Sequence, residues 1–129
     1  MLFHQFQTQD ERRAFGGSAF IELQLCRLPA GTSLRRITSV SSITNWQNDS
    51  LYVADIERFF ALYGGICAGA VYNNRRSGPM DLFGINYYPP ARLQGIIAAV
   101  QTAKPDGYAQ LLPWLKGAAK GNGFYILGI

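Results

Sequence analysis

The sequence is short of histidine and cysteine, the residue types on which much nucleophilic and metal chemistry depends. His4 is the single histidine, and the two cysteines, Cys26 and Cys67, stand far apart within apolar stretches. A catalytic triad needs a histidine docked beside its nucleophile, and a structural zinc site needs about four ligands. We therefore predict no metal site, and we expect both thiols to be free and buried, as isolated cysteines commonly are.

Phosphate-binding loops and closely spaced acidic pairs are also missing. No glycine-rich loop has the spacing of a dinucleotide or nucleoside triphosphate site. Among eight carboxylates, none is placed so that helix or strand geometry would force two together. Asp55 and Glu57, for example, point to different faces of one helix. Carboxylate pairing over long sequence separations stays open, but these absences favour a non-catalytic protein without catalytic residues or cofactors.

Charge is sparse and long apolar runs are lacking. Charged residues make up 16% of the chain, and 12 basic residues against 8 acidic ones give a net charge of +4. The basic residues form separated pairs, which favours ordinary solvated charge over a nucleic-acid interface. The longest uncharged stretch, residues 59–72, is too short and too rich in glycine to span a bilayer. The first residues lack the pattern of a signal peptide, so we expect a cytoplasmic protein with no membrane segment.

What the chain does contain predicts one α+β domain over residues 1–129. Residues 1–17 are either a loose arm or a short edge element. Alternating or continuous apolar runs predict about five strands, and 3.6-residue periodicity predicts about three helices, in the order ββαββααβ. We expect a mixed or antiparallel sheet with the helices on one face. The predicted strands are 18–28, 35–44, 66–72, 82–88 and 124–129, and the helices follow residue 50, Pro89 and Pro105.

Individual residues indicate where the predicted helices begin, bend and end. Ser50 or Asp49 is suited to cap the first one, and Pro90 is suited to open the second. Pro113 stands inside the third, where it removes a hydrogen bond and predicts a kink or a break. Asp106 is expected to cap that helix, and the Gly-Asn-Gly sequence at 121–123 is expected to end it.

Seven residues are candidates for partner binding. Four lie on one loop between two strands, where a rigid sheet often carries binding residues. Two tyrosines stand at a strand end, and alternation predicts that one of them faces outward. A tryptophan in a polar loop is the best candidate for an exposed anchor. The residues are Asn73, Asn74, Arg75 and Arg76, the pair Tyr87 and Tyr88, and Trp46.

The last third of the chain resembles small bacterial immunity proteins, which neutralise contact-delivered or type VI secreted toxins. The resemblance lies in residues 83–90, 104–108, 114–115 and 122–129. It implies a cytoplasmic inhibitor that binds a cognate toxin and covers it. Because the chain is basic, the implied partner has an acidic or neutral docking face. Two alternatives are a small enzyme or ligand-binding domain with a cleft near residues 73–76, and a basic nucleic-acid-associated module.

Overall fold

The computed structural model describes residues 1–16, 19–44 and 46–128. Within these residues, seven strands form one antiparallel sheet in the spatial order β1-β3-β2-β7-β6-β4-β5. Their bounds are β1 Phe3–His4, β2 Ile21–Leu25, β3 Leu51–Val53, β4 Ala70–Val71, β5 Ser77–Gly78, β6 Ile85–Tyr88 and β7 Phe124–Leu127. The α+β class is confirmed. The prediction of about five strands in the order ββαββααβ is wrong.

The chain's last strand, β7, is central and pairs with β2 and β6. This position confirms that an uncharged apolar run near the C-terminus belongs inside the sheet; Ile129 lies outside the described residues. Gly123 precedes the strand with a φ of 81°, and a Cβ there would lie 2.1 Å from the carbonyl oxygen of Tyr88. Only glycine fits this approach, which ends the last helix and starts β7.

Three helices cover one face of the sheet and build the main core: α3 (Ile56–Tyr63), α4 (Pro90–Ala103) and α5 (Tyr108–Lys120). Their buried side chains, such as Leu93 and Leu115, pack with Phe124 and Ile126 from the central strand. Pro90 opens α4 as predicted. The helix α5 continues through Pro113 without a break, with the proline exposed. No helix in the described ranges has the length and hydropathy needed to cross a membrane.

The opposite face of the sheet is also covered, so the expectation of helices on one face only is wrong. It carries α1 (Gln9–Phe15), α2 (Leu34–Ile37) and a 3-10 helix over Val40–Ser42. Ile37 joins a second, smaller core with Val71, Tyr87 and Tyr125. Cys26 belongs to that core and Cys67 to the main one, and both thiols are free and buried.

The predicted strand over 35–44 is wrong because hydroxyl side chains satisfy the local backbone instead. Ser33 accepts a hydrogen bond from the backbone nitrogen of Arg36, at 3.3 Å, and so caps α2. The Thr38 hydroxyl donates to the carbonyl of Leu34 at 2.7 Å. Ser and Thr compete with strand pairing in this way, and here they produce two short helical turns.

Short strands account for the other differences. Strand β3 was absent from the prediction, and α3 therefore begins later, with Asp55 as its cap in place of Ser50 or Asp49. Residues 1–16 form the edge strand β1 and the helix α1, so the edge element describes them better than a loose arm. Asp106 is not a helix cap either, since Gly107 occupies that position in α5 and Asp106 pairs with Arg58.

Candidate partner-binding surface

The loop with four of the predicted residues is the tip of the β4–β5 hairpin at one edge of the sheet. All four residues from 73 to 76 are exposed. The backbone nitrogen of Arg75 donates to Tyr72 at 2.9 Å, and Arg75 has a φ of 69°. The Asn74 side chain accepts from the nitrogen of Arg76 at 2.9 Å. Asn74 thus shapes the turn, and the two arginines supply its exposed charge.

A third arginine, which was not predicted, fixes the base of this hairpin. Arg92 in the first turn of α4 donates from Nη1 to the carbonyl of Gly69 at 2.7 Å. Its Nη2 donates to the Ser77 hydroxyl at 3.4 Å. Because these bonds join α4 to both sides of the hairpin, the tip is held on a firm support. Nothing in the helical pattern around Arg92 indicated this role.

Next to the hairpin, the loop over residues 79–84 presents Phe83 to solvent with 78% of its surface exposed. The backbone nitrogen of Phe83 donates to the Asp81 carboxylate at 2.9 Å. Fully buried Asn86 holds the same loop: its Nδ2 donates to the carbonyl of Asp81 at 2.8 Å and to that of Ile126 at 2.9 Å. Its Oδ1 accepts from the nitrogen of Asp81 at 2.7 Å. The loop is therefore shaped by polar contacts that do not use the Phe83 ring.

Strand register brings Phe83 and the arginines to the same end of the sheet. Val71 of β4 lies opposite Tyr87 of the antiparallel strand β6. The hairpin tip after Val71 therefore extends toward the start of β6, where the Phe83 loop enters, and adjacent strands are about 4.8 Å apart. We call residues 73–76 together with Phe83 the hairpin–loop surface. Sequence reasoning missed Phe83, although its position between Asp81 and Gly84 is typical of a side chain displayed on a turn.

The two predicted tyrosines do not contribute to this surface. Tyr87 and Tyr88 point to opposite faces, but both are buried, at 1% and 0% exposure. The Tyr87 hydroxyl donates to Asn122 at 2.7 Å and the Tyr88 hydroxyl to Cys67 at 2.6 Å. Burial raises the pKa of both phenols. The expected outward-facing tyrosine is wrong because both faces of the sheet are covered at this point.

Trp46 also lies elsewhere. It is half-buried and stacks on Tyr52 of β3, with ring centroids 6.0 Å apart and an interplanar angle of 19°. Strand β3 is four steps from β4 in the sheet, which corresponds to about 19 Å at the usual strand spacing. The structure therefore does not bring Trp46 to the hairpin–loop surface, and it is not the exposed anchor that was expected.

A partly buried carboxylate lies close to this tryptophan and tyrosine. Glu22 of β2 is directly opposite Tyr52, and Gln24 donates to its carboxylate at 3.0 Å. Burial raises the pKa of Glu22, while the nearby hydroxyls of Ser50 and Tyr52, the amide of Gln24 and the charge of Arg12 oppose that rise. Neither hydroxyl makes a hydrogen bond of normal geometry. Within the described residues, no group of three or more His, Cys, Asp or Glu side chains could hold a metal.

Two concave regions are relevant to the ligand-binding alternative. A groove of about 530 Å³ lies between residues 25–30 and the end of α5, with Arg27 and Lys120 among its lining residues. It is at the opposite end of the sheet from the hairpin tip. A smaller depression of about 290 Å³ beside Gly69 and Arg92 is near the hairpin base. No protein-family model, curated protein or solved structure matches the chain, so the candidate surface depends on its geometry.

Proposed function

We propose that the protein is a non-catalytic module that binds another protein through the hairpin–loop surface. The observation that supports this most strongly is Phe83, held in solvent by a loop that buried Asn86 shapes. Leaving a phenylalanine exposed forgoes about 2 kcal/mol of burial, and the loop gains no stability from the ring. Aromatic and arginine side chains are the types enriched in protein interfaces.

The charge of the surface specifies the chemistry of the partner. Arg75 and Arg76 are adjacent, exposed and at the same end of the sheet as Phe83, and the whole chain carries a net charge of +4. A complementary partner has an apolar recess for the ring and carboxylates around it. Such complementary charge accelerates association and disfavours wrong partners.

The specific form that we propose is an immunity protein acting in the cytoplasm. It neutralises a cognate bacterial toxin by binding it and covering its active site. The resemblance of the last third of the chain to such proteins supports this form, and residues 83–90 of that resemblance include the Phe83 loop. Occlusion requires no catalytic group on the inhibitor, only a rigid surface that excludes the toxin's substrate.

The test begins with capture of a stoichiometric partner by the tagged protein from a bacterial host at moderate salt. The partner's own activity is then titrated with purified wild-type protein and with an Arg75→Ala, Arg76→Ala double variant. The adjacent exposed pair on α2 gives a matched control, Arg35→Ala with Arg36→Ala. We expect inhibition that is complete at equimolar wild-type protein, weakened by the first double variant and retained by the second. A partner that stays fully active in the complex would contradict the inhibitor function.

The 530 Å³ groove favours ligand binding as a second candidate function. Its volume is in the range of small-molecule sites, about 300–1,000 Å³, and its lining residues include Arg27 and Lys120 but no acidic side chain. An anionic ligand would suit this lining. Binding of such a ligand that is lost on Lys120→Ala and unaffected by Phe83→Ala would favour this second function over the first.

A further inference from the structure

Helix α1 lies on the sheet without burying any of its residues. It is held by shallow contacts, of which the first is the half-exposed ring of Phe15, 4.6 Å from that of His4 and 5.5 Å from that of Phe6. The second is Arg12, whose guanidinium carbon is 5.7 Å from the centroid of Phe20 and 5.6 Å from that of Tyr52. None of the side chains of α1 is itself buried, so the helix loses little of its own apolar burial when it leaves the sheet.

The surface beneath Arg12 combines aromatic rings with a carboxylate. The Tyr52 ring contacts the rings of Trp46 and Phe20, with centroids 6.0 Å away in each case. Glu22 lies opposite Tyr52 in the strand register. Rings of this kind attract cations through their faces, and a planar guanidinium can stack on a ring while it pairs with a carboxylate.

Arg12 uses this surface incompletely. Its guanidinium lies over the rings, but Glu22 is in none of the ion pairs in the described part of the chain. Ser50 and Tyr52 are 0% and 3% exposed, and their hydroxyls lie close enough to the Glu22 carboxylate to lower its pKa without forming a hydrogen bond of normal geometry. A buried polar group without a well-formed hydrogen bond is rare in native structures. Glu22, Ser50 and Tyr52 can therefore accept hydrogen bonds that Arg12 does not supply.

We infer that Glu22, Ser50, Tyr52 and Phe20 form a binding site for a guanidinium group, supplied by an arginine side chain of a partner polypeptide. In the free protein Arg12 occupies the entrance of this site, which we call the Arg12 site. An incoming guanidinium displaces α1, stacks on Tyr52 and Phe20, and pairs with Glu22. Arg12 is thus an internal competitor that lowers the affinity for the partner's arginine.

The Arg12 site is separate from the hairpin–loop surface. Tyr52 is on β3, four strand positions from β4. The two sites also select opposite charge, since one offers Arg75 and Arg76 and the other offers Glu22. Each can therefore be present without the other, and no variant used to test one alters a residue of the other.

The test measures binding of a short neutral peptide with one central arginine, by calorimetry and by the NMR shift of the Trp46 indole. Removing the competitor with Arg12→Ala should tighten binding at least tenfold over wild type. Arg12→Met, which keeps an apolar stem over the rings, should give the same direction of change. Arg13→Ala is the matched control, because Arg13 is the exposed neighbour and pairs with Asp10. It should bind as wild type does.

A further variant and other ligands test which groups bind the guanidinium. Adding Glu22→Gln to Arg12→Ala should abolish the gain, and a lysine peptide should bind more weakly than the arginine peptide. The inference is overturned if both Arg12 variants bind the arginine peptide no more tightly than Arg13→Ala does. It is also overturned if the gain survives Glu22→Gln. Free guanidinium that binds as tightly as the peptide would contradict a polypeptide as the source of the group.

Discussion

Asn86 and Phe83 are linked through one loop, although Asn86 is buried and Phe83 is exposed. The amide of Asn86 satisfies backbone groups of Asp81 and Ile126, which fixes the loop from inside the fold. The ring of Phe83 takes no part in these contacts and is exposed in a defined position. Pre-ordering of this kind lowers the entropy cost of binding, so we expect buried Asn86 to contribute to the affinity for the proposed partner without touching it.

The partly buried carboxylate of Glu22 should make the free energy of unfolding fall as the pH rises above 4.5. Burial raises the pKa of Glu22 above its ordinary value of 4.5, so the folded protein holds this proton more tightly than the unfolded chain does. The stabilisation is present below 4.5 and is lost as the pH rises through the folded pKa. Glu22→Gln should remove this part of the pH dependence, as measured by urea unfolding at a series of pH values.

The contribution of Glu22 is the difference in the free energy of unfolding between wild type and Glu22→Gln at each pH. His4, whose pKa burial lowers from 6.5, destabilises the fold more as the pH falls, and it does so in both proteins. Glu57→Gln on the exposed side of α3 is the control and should follow the wild-type curve. Parallel curves for wild type and Glu22→Gln would contradict the raised pKa.

The surroundings of some individual side chains could not be predicted from the sequence. Alternation places Tyr87 and Tyr88 on opposite faces of β6, and this was right. It cannot tell that segments from distant parts of the chain cover both faces there, Ile37 from α2 on one side and Leu93 from α4 on the other. Trp46 in a polar loop gave no sign of its stacking on Tyr52, because that contact depends on tertiary structure.

Among the helices and strands, the prediction was right where the segment is long and is bounded by proline or glycine. Helices α4 and α5 were predicted because each presents a full apolar stripe between proline and glycine signals, and β7 because it is a compact apolar run. The two-residue strands β1 and β5 are too short to show a period of two, and the predicted strand over 66–72 is present only as β4, Ala70–Val71. The segment over 35–44 has strand-forming residues, but its serines and threonines bond to their own backbone, and that local competition decided its structure.

Helix α5 should become more stable when Pro113 is replaced. Pro113 is exposed within a continuous helix, so its ring contributes little packing, and it lacks the N–H that would donate to the preceding turn. Proline in a helix interior is about 3 kcal/mol less favourable than alanine. We expect Pro113→Ala to raise the free energy of unfolding by about 1–3 kcal/mol, because part of the penalty is already relieved by local adjustment.

Equilibrium unfolding in urea measures this change. Lys116→Ala, three residues along the same helix and also exposed, is the control and should change stability by less than about 0.5 kcal/mol. A Pro113→Ala variant that is less stable than wild type would show that the proline has a structural role in the packing of α5.

For the whole molecule, the sheet carries three separate regions. The hairpin–loop surface is at the end of the sheet where β6 begins, and the 530 Å³ groove is at the other end, beside the start of β7. The Arg12 site is on the face opposite α4 and α5, toward the β1 edge. Because both faces of the sheet are covered, the binding positions that we propose lie at its ends and under α1.

The affinity of the captured partner for Phe83→Ala, compared with Val40→Ala, tests the proposed surface most directly. Val40 is a matched apolar control, 72% exposed on the 3-10 helix and not one of the residues of the hairpin–loop surface. We predict that Phe83→Ala weakens binding by at least about 30-fold, the equivalent of about 2 kcal/mol, while Val40→Ala stays within about twofold of wild type. Equal affinity of Phe83→Ala and wild type would contradict a partner interface at the hairpin–loop surface.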